Sequence, residues 1–203
     1  MIRLVLASTS SARRMLLTNA GLAFESVVAP IDERELEQPL LSEGASPAEI
    51  AMALAEAKAL AVLALRPDAL VIGSDQILDL AGERFVKPGD RAGAARQLER
   101  LAGRTHHLRT AVVLGRDGTI VWRHLASPRL TMRSLSARAI EHYLEGAGTG
   151  IFGSVGAYHL EEVGIRLFSA IEGDYFSILG LPLLPLLGAL REAGAIDADE
   201  DRS

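Results

Sequence analysis

The chain has 203 residues, a net charge of −5, no cysteine and only 4% aromatic residues. The missing cysteines exclude disulfides, thiolate nucleophiles and cysteine-bound metal sites. Net acidity argues against wrapping duplex DNA, and the aromatic content against a stacking platform for single strands. With 49% apolar residues, a sizeable core is expected rather than global disorder.

Arg3 to Ala7 reads as a buried strand and Ala12 to Ala20 as a helix that Gly21 terminates. Phe24 to Ala29 reads as a second strand. Asp32 to Gly44 is polar, contains Pro39 and is expected to be irregular. Ser46-Pro47-Ala48-Glu49 combines a capping box with proline at the first helical position, starting a helix that reaches about Leu65. Ala69 to Gly73 reads as a buried strand, with Gly73-Ser74-Asp75-Gln76 directly after its core Leu70-Val71-Ile72. Gln76 to Leu80 and Arg84 to Val86 suit a hairpin around Ala81-Gly82.

Asp90 caps a helix from Arg91 to about Ala102. His107 to Leu114 and Thr119 to Met132 read as strands joined at Arg116-Asp117-Gly118. Ser136 caps the next helix, with Leu135 and Ile140 as a hydrophobic staple. A glycine-rich stretch, Gly146 to Gly156, leads to a strand region from Ala157 to Ile171, and a last helix runs from Pro182 to about Ala193. Residues 197–203 form an acidic tail, expected to be disordered. Strands alternating with helices, interrupted by hairpins, predict an α/β fold with a mixed twisted sheet. The most apolar run, Ile178 to Leu190, is 13 residues long and holds two prolines, too short for a membrane span. We expect a soluble, cytoplasmic protein with no membrane partner.

Three segments carry candidate chemistry. Ser8-Thr9-Ser10-Ser11 leads from a strand into a helix N-terminus, where free N–H groups and the helix dipole favour an anion. Ser8 and Ser10 add hydroxyl donors, and Arg13 can grip a phosphate through two parallel bonds. The plain alternative is a serine-capped surface helix. Lys58 falls in the apolar stripe Ile50, Leu54, Ala61, Leu65, so it must snorkel or meet an anion. Asp75, placed after a strand, can hold a divalent cation or activate a water, or else bond its own turn. Ile31-Asp32-Glu33 and Val86-Lys87-Pro88 offer further acids and a cation. Acids beside several cations suit a metal–phosphate substrate. His106 and His107 are adjacent on a strand and point to opposite faces, which favours a structural or hydrogen-bonding role over chelation.

In order along the chain stand LASTSSARRMLL, Asp32-Glu33, Ala57-Lys58-Ala59, Gly73-Ser74-Asp75-Gln76, Lys87-Pro88, Gly103-Arg104-Thr105-His106 and Gly180-Leu181-Pro182-Leu183. The set resembles the Maf family of nucleoside triphosphate pyrophosphatases over residues 3 to 191. The resemblance implies one domain, residues 1–196, with two lobes around a central groove, a fold related to inosine triphosphate pyrophosphatases. It implies metal-assisted hydrolysis to monophosphate and pyrophosphate, with Mg²⁺ or Mn²⁺ as cofactor. By position, Ser8 and Arg13 match the family's phosphate loop. Glu33, Lys58, Asp75 and Lys87 match its acidic and basic active-site positions, with Asp75 at the place usually given to the catalytic base. We expect Glu33 and Asp75 to hold the metal.

Members resembling 7-methyl-GTP pyrophosphatases carry tryptophan and glutamine where this chain has Ala12 and Gln76, and a glutamate that aligns with Glu161. Members resembling dTTP/UTP pyrophosphatases carry arginine and threonine at the first two places. Gln76 and Glu161 therefore lean towards the 7-methyl-GTP branch, while Ala12 lacks the aromatic that would stack on a cationic purine. The expected partner is a single nucleoside triphosphate, not a nucleic acid polymer. A homodimer is compatible with the sequence, which carries no pattern that demands one. The alternatives are a dTTP/UTP pyrophosphatase, an enzyme clearing deaminated purine nucleotides, a nucleotidyltransferase, and a nucleotide-binding regulator of septum formation. Three of the five net negative charges come from residues 197–203, so the body is near neutral.

Overall fold

A computed structural model describes residues 2–196; the tail at 197–203 lies outside the described residues. The expected α/β class with a mixed sheet is observed. Among the described residues there are eight strands, seven α-helices and two 3-10 turns. The residues group into two compact units: 2–76, 110–126 and 180–196 in the first, Ile77–Arg109 and Ser127–Leu179 in the second. No helix among the described residues is long and apolar enough to cross a membrane.

The first unit contains β1 (Arg3–Leu6), α1 (Ser11–Asn19), β2 (Glu25–Ser26), α2 (Glu33–Ser42), α3 (Pro47–Leu65), β6 (Thr119–Ala126) and α7 (Leu183–Glu192). It also holds residues 69–76 of β3 (Ala69–Leu80) and residues 110–116 of β5 (Thr105–Arg116). The strand order is β2-β1-β3-β5, with β6 on β5. β1 runs parallel to both neighbours, with Leu6 opposite Ile72 on β3, and β6 is antiparallel to β5. Leu6, Leu17, Ile50, Leu54, Leu70, Ile72 and Leu114 are fully buried in this unit, each stabilising it by about 1.5–3 kcal/mol relative to exposure. Strands covered on both faces read as continuous apolar runs, as β1 and the start of β3 do.

Helix termini follow their local chemistry. Leu22 N–H donates to Leu17 O and Gly21 N–H to Thr18 O, closing α1 with Gly21 at φ +74°. At α3 the Ser46 hydroxyl accepts from Glu49 N–H, and the Glu49 carboxylate accepts from Ser46 N–H at 2.7 Å. Ser46→Ala is expected to cost about 1 kcal/mol, read as a lowered urea midpoint with unchanged slope.

Three expectations of the sequence are corrected in this unit. Asp32 to Gly44 is not irregular but contains α2. Asp32 caps it through Arg34 and Glu35 N–H, and Glu33 and Glu35 complement the dipole of the first turn. These gains outweigh the one N–H bond that Pro39 forfeits. The second strand is only Glu25–Ser26. The strand that begins at Ala69 does not end at Gly73 but runs unbroken to Leu80 as β3. Further, Leu65 is exposed, and the buried face of α3 instead carries Ile50, Leu54, Ala55, Ala59, Val62 and Leu63.

The second unit contains residues 77–80 of β3, β4 (Glu83–Phe85), α4 (Arg91–Leu101), residues 105–109 of β5, β7 (Arg129–Met132), α5 (Ala137–Gly146), β8 (Phe168–Glu172) and the one-turn α6 (Tyr175–Ile178). The β3–β4 hairpin pairs Leu80 with Glu83 around Ala81 and Gly82, both at positive φ, the geometry of a primed turn. Leu78, Leu98, Leu101, Leu108, Leu130 and Ile140 belong to its core, with Leu135 packed against it. The expected strand from Thr119 to Met132 is two strands, parted at Ser127-Pro128, where Pro128 lacks a ladder donor. Of the expected strand from Ala157 to Ile171, only Phe168 onwards is extended. Ala157 lies at φ +58° and Val163–Leu167 form a 3-10 turn.

His106 is fully buried in this core, 2.7 Å from the Tyr158 hydroxyl through Nε2. Its Nδ1 is buried without a partner, so the proton belongs on Nε2, because a bare lone pair costs less than an unsatisfied N–H. Burial, and secondarily His107, pushes the imidazole down to about 4 from 6.5. The unfolded chain then binds a proton that the folded chain refuses between those values. Stability is complete above pH 6.5 and falls towards pH 4, by about 3 kcal/mol in all. Unfolding midpoints across pH 4–7 should show this slope, and His106→Gln should flatten it.

Candidate active site

The first unit brings most of the candidate residues together. After β1, Ala7 N–H still donates to Ile72 O, and the chain then leaves the sheet through Ser8 to Ser10. Ser8 Oγ accepts from Ser10 N–H, Ser26 Oγ donates to Ser8 O, and Ser10 Oγ caps α1 through Arg13 N–H. Ser8 and Ser10 are both half-buried.

Arg13 and Arg14 diverge: Arg14 is exposed, whereas Arg13 is 9% exposed. The Arg13 guanidinium donates Nε to Gly180 O at 2.8 Å and Nη1 to Ser74 O at 2.8 Å and Ser8 Oγ at 3.3 Å. Burial pushes its pKa down, opposed by the charges of Asp75 and Glu33. The expected two-bond grip on phosphate is therefore not its arrangement here, because two of its three nitrogens are engaged by the chain.

Asp75 lies inside β3 rather than in a turn, its side chain 11% exposed. The cause is Gly73, which is used for close approach and not for turning. A Cβ there would stand 2.2 Å from Ala55 O and 2.8 Å from Ala59 Cβ. Helix α3 thus rests directly on the strand, and Lys58, next to Ala59, meets an anion as its apolar surroundings require. Lys58 Nζ is 2.6 Å from Asp75 Oδ1 and 2.8 Å from Glu33 Oε1. Glu33 is the first residue of α2, placed there by the Asp32 cap, and its side chain is half exposed.

Lys58 therefore bridges two carboxylates, with Arg13 close enough to feel both. Among the described residues no cluster of three or more His, Cys, Asp or Glu is arranged for a metal. Glu33 and Asp75 nevertheless fit Mg²⁺ or Mn²⁺ of the kind that takes one or two carboxylates and fills its other positions with water and phosphate oxygens.

Strand alternation sends Gln76 to the opposite face of β3 from Asp75, where its Nε2 donates to Thr110 Oγ1 at 2.8 Å. Lys87 and Glu161 belong to the second unit and are exposed there, Lys87 in the loop after β4 and Glu161 before the Val163–Leu167 turn. Sequence reasoning missed Ser74, Thr110 and Gly180 as polar partners. A serine within an apolar strand is a usable signal for the first; a carbonyl acceptor such as Gly180 O leaves none. Neither His106 nor His107 belongs to this cluster; His106 has the hydrogen-bonding role that its strand position suggested.

The profile of the Maf-like protein family matches residues 3–193. The chain is 56% identical over 195 residues to the 7-methyl-GTP pyrophosphatase of Rhizobium meliloti (strain 1021), covering 96% of this chain and 98% of that protein. It is 53% identical over 196 residues to nucleoside triphosphate pyrophosphatase 1 of Jannaschia sp. (strain CCS1), covering 97% and 99%. It is 54% identical over 196 residues to the nucleoside triphosphate pyrophosphatase of Gluconobacter oxydans (strain 621H), covering 96% and 97%. With the match running nearly end to end, the chain belongs to the Maf-like protein family.

Proposed function

We propose that the protein hydrolyses a nucleoside triphosphate to the monophosphate and pyrophosphate. The observation that carries this reading is Lys58 bridging Asp75 and Glu33 in the unit that also holds the Ser8–Arg13 loop. The names of the similar proteins support it.

A water attacks the α-phosphorus, its oxygen forming the new P–O bond as the bond to the bridging oxygen of pyrophosphate breaks. Lys58 engages Oδ1 of Asp75, which leaves Oδ2 to orient the water and take its proton. The loop holds phosphate oxygens through Ser8, Ser10 and the N-terminus of α1. Arg13 and Lys58 offset the charge that grows on the leaving pyrophosphate. A divalent cation held by Glu33 and Asp75 supplies charge neutralisation and polarisation of phosphate when bound.

On the family resemblance, the presence of Gln76 and of Glu161 favours 7-methyl-GTP as substrate. Ala12 removes a stacking partner and broadens that preference towards unmethylated GTP. The role is clearance of nucleotides in the cytoplasm. Incubation with 7-methyl-GTP, GTP, ITP, dTTP and UTP plus Mn²⁺, scoring pyrophosphate and orthophosphate separately, tests it. Pyrophosphate release, fastest from 7-methyl-GTP, is expected. Faster release from dTTP and UTP would overturn the base assignment, and orthophosphate as the only product would overturn the reaction.

A further inference from the structure

We infer that Gly180 and Ser74 are positioning residues that aim the Arg13 guanidinium at the substrate phosphates. This rests on the reaction proposed above. The Gly180 carbonyl accepts from Arg13 Nε at 2.8 Å and is within 3.0 Å of the Ser74 hydroxyl. That hydroxyl is also 2.8 Å from Ala111 O, and the Ser74 carbonyl takes Arg13 Nη1 at 2.8 Å. Ser74 is fully buried. Residues 13, 74 and 180, far apart in sequence, are thus tied at one guanidinium.

The consequence is geometric. A guanidinium is a rigid planar fork, so fixing Nε and Nη1 fixes its plane and the direction of Nη2. Nη2 makes no bond to the described residues and is the nitrogen left for a phosphate oxygen. An arginine on a flexible stem would lose side-chain entropy on each encounter with substrate; here that ordering is complete beforehand.

Gly180 suits this task for two reasons. Its φ of +95° is a conformation that other residues rarely adopt, and a Cβ there would stand 3.3 Å from Arg13 Nε and 3.6 Å from Nη2. Any side chain would both crowd the guanidinium and rotate the carbonyl that holds it.

The test is a double-mutant cycle on Gly180→Ala and Arg13→Lys, with Ser74→Ala alongside, using the fastest substrate of the nucleotide panel. Thermal melting is recorded for every variant. Gly180→Ala should raise KM about tenfold and lower kcat about as much, because Arg13 both holds phosphate and offsets leaving-group charge, while Ser74→Ala raises KM about threefold. Lysine has no Nε fork for the Gly180 carbonyl, so in the Arg13→Lys background Gly180→Ala should change KM less than about twofold. Multiplying effects in the double variant, or unchanged KM in both single variants, would overturn the inference. If Gly180→Ala does not fold, Ser74→Ala decides: a folded variant with wild-type KM overturns it. A wild-type protein that releases no pyrophosphate from any nucleotide removes the underlying reaction and the inference with it, whereas an active wild type with unmoved variants removes the inference alone.

Discussion

Asp75→Asn is expected to lower turnover by about 10³-fold while the nucleotide still binds. The substitution keeps the shape of the side chain, and its amide oxygen can still accept from Lys58 Nζ, so the 2.6 Å contact has a neutral successor. What it removes is the atom that takes the proton from water, together with one of two carboxylates proposed for the cation. Binding persists because the Ser8–Arg13 loop and Lys58 are untouched. Calorimetric titration of 7-methyl-GTP into the variant, beside its steady-state rate, separates the two effects. Wild-type turnover in this variant would remove Asp75 from the chemistry.

Gly73→Ala is expected to cost about 3 kcal/mol of stability and most of the activity, although the residue touches no substrate. Its added methyl would meet the backbone carbonyl of Ala55 at 2.2 Å, and backbone cannot step aside as a side chain can. Helix α3 must move off β3, taking Lys58 away from Asp75. Gly115 offers a matched control in the same unit. A Cβ there would stand 2.6 Å from Leu63 Cδ1, the far end of a flexible side chain. Gly115→Ala should therefore cost markedly less and leave the lysine bridge in place. Urea unfolding and kcat for both variants check this. Equal losses in the two would contradict the link between close packing at Gly73 and the geometry of the site.

Local chemistry made much of the fold legible before any coordinates. The capping box at Ser46, the Asp90 and Ser136 caps, and the Ala81-Gly82 and Asp117-Gly118 turns all depend on residues within a few positions of one another, and all form. The errors are of two kinds, one local and one where distant chain decides. Pro39 suggested a loop, yet the Asp32 cap and the acidic first turn carry a helix through it. Gly73 suggested the end of a strand, yet its missing side chain accommodates a helix that is distant in sequence until the chain folds.

The site divides in the same way. Lys58 was legible because a lysine among apolar neighbours needs an anion, and it meets two. Glu33 stood out as an acid, but its place at the head of a helix depended on a cap that the proline obscured. Nothing in the Arg13-Arg14 pair shows which of them turns inward, since the carbonyls that hold Arg13 come from Ser74 and Gly180.

Attack of water on the α-phosphorus leaves the water oxygen in the nucleoside monophosphate. Turnover in H₂¹⁸O tests it most directly, with the products separated and weighed by mass spectrometry. One ¹⁸O is expected in the nucleoside monophosphate and none in pyrophosphate. Label in pyrophosphate, with unlabelled monophosphate, would place the attack on the β-phosphorus and contradict it.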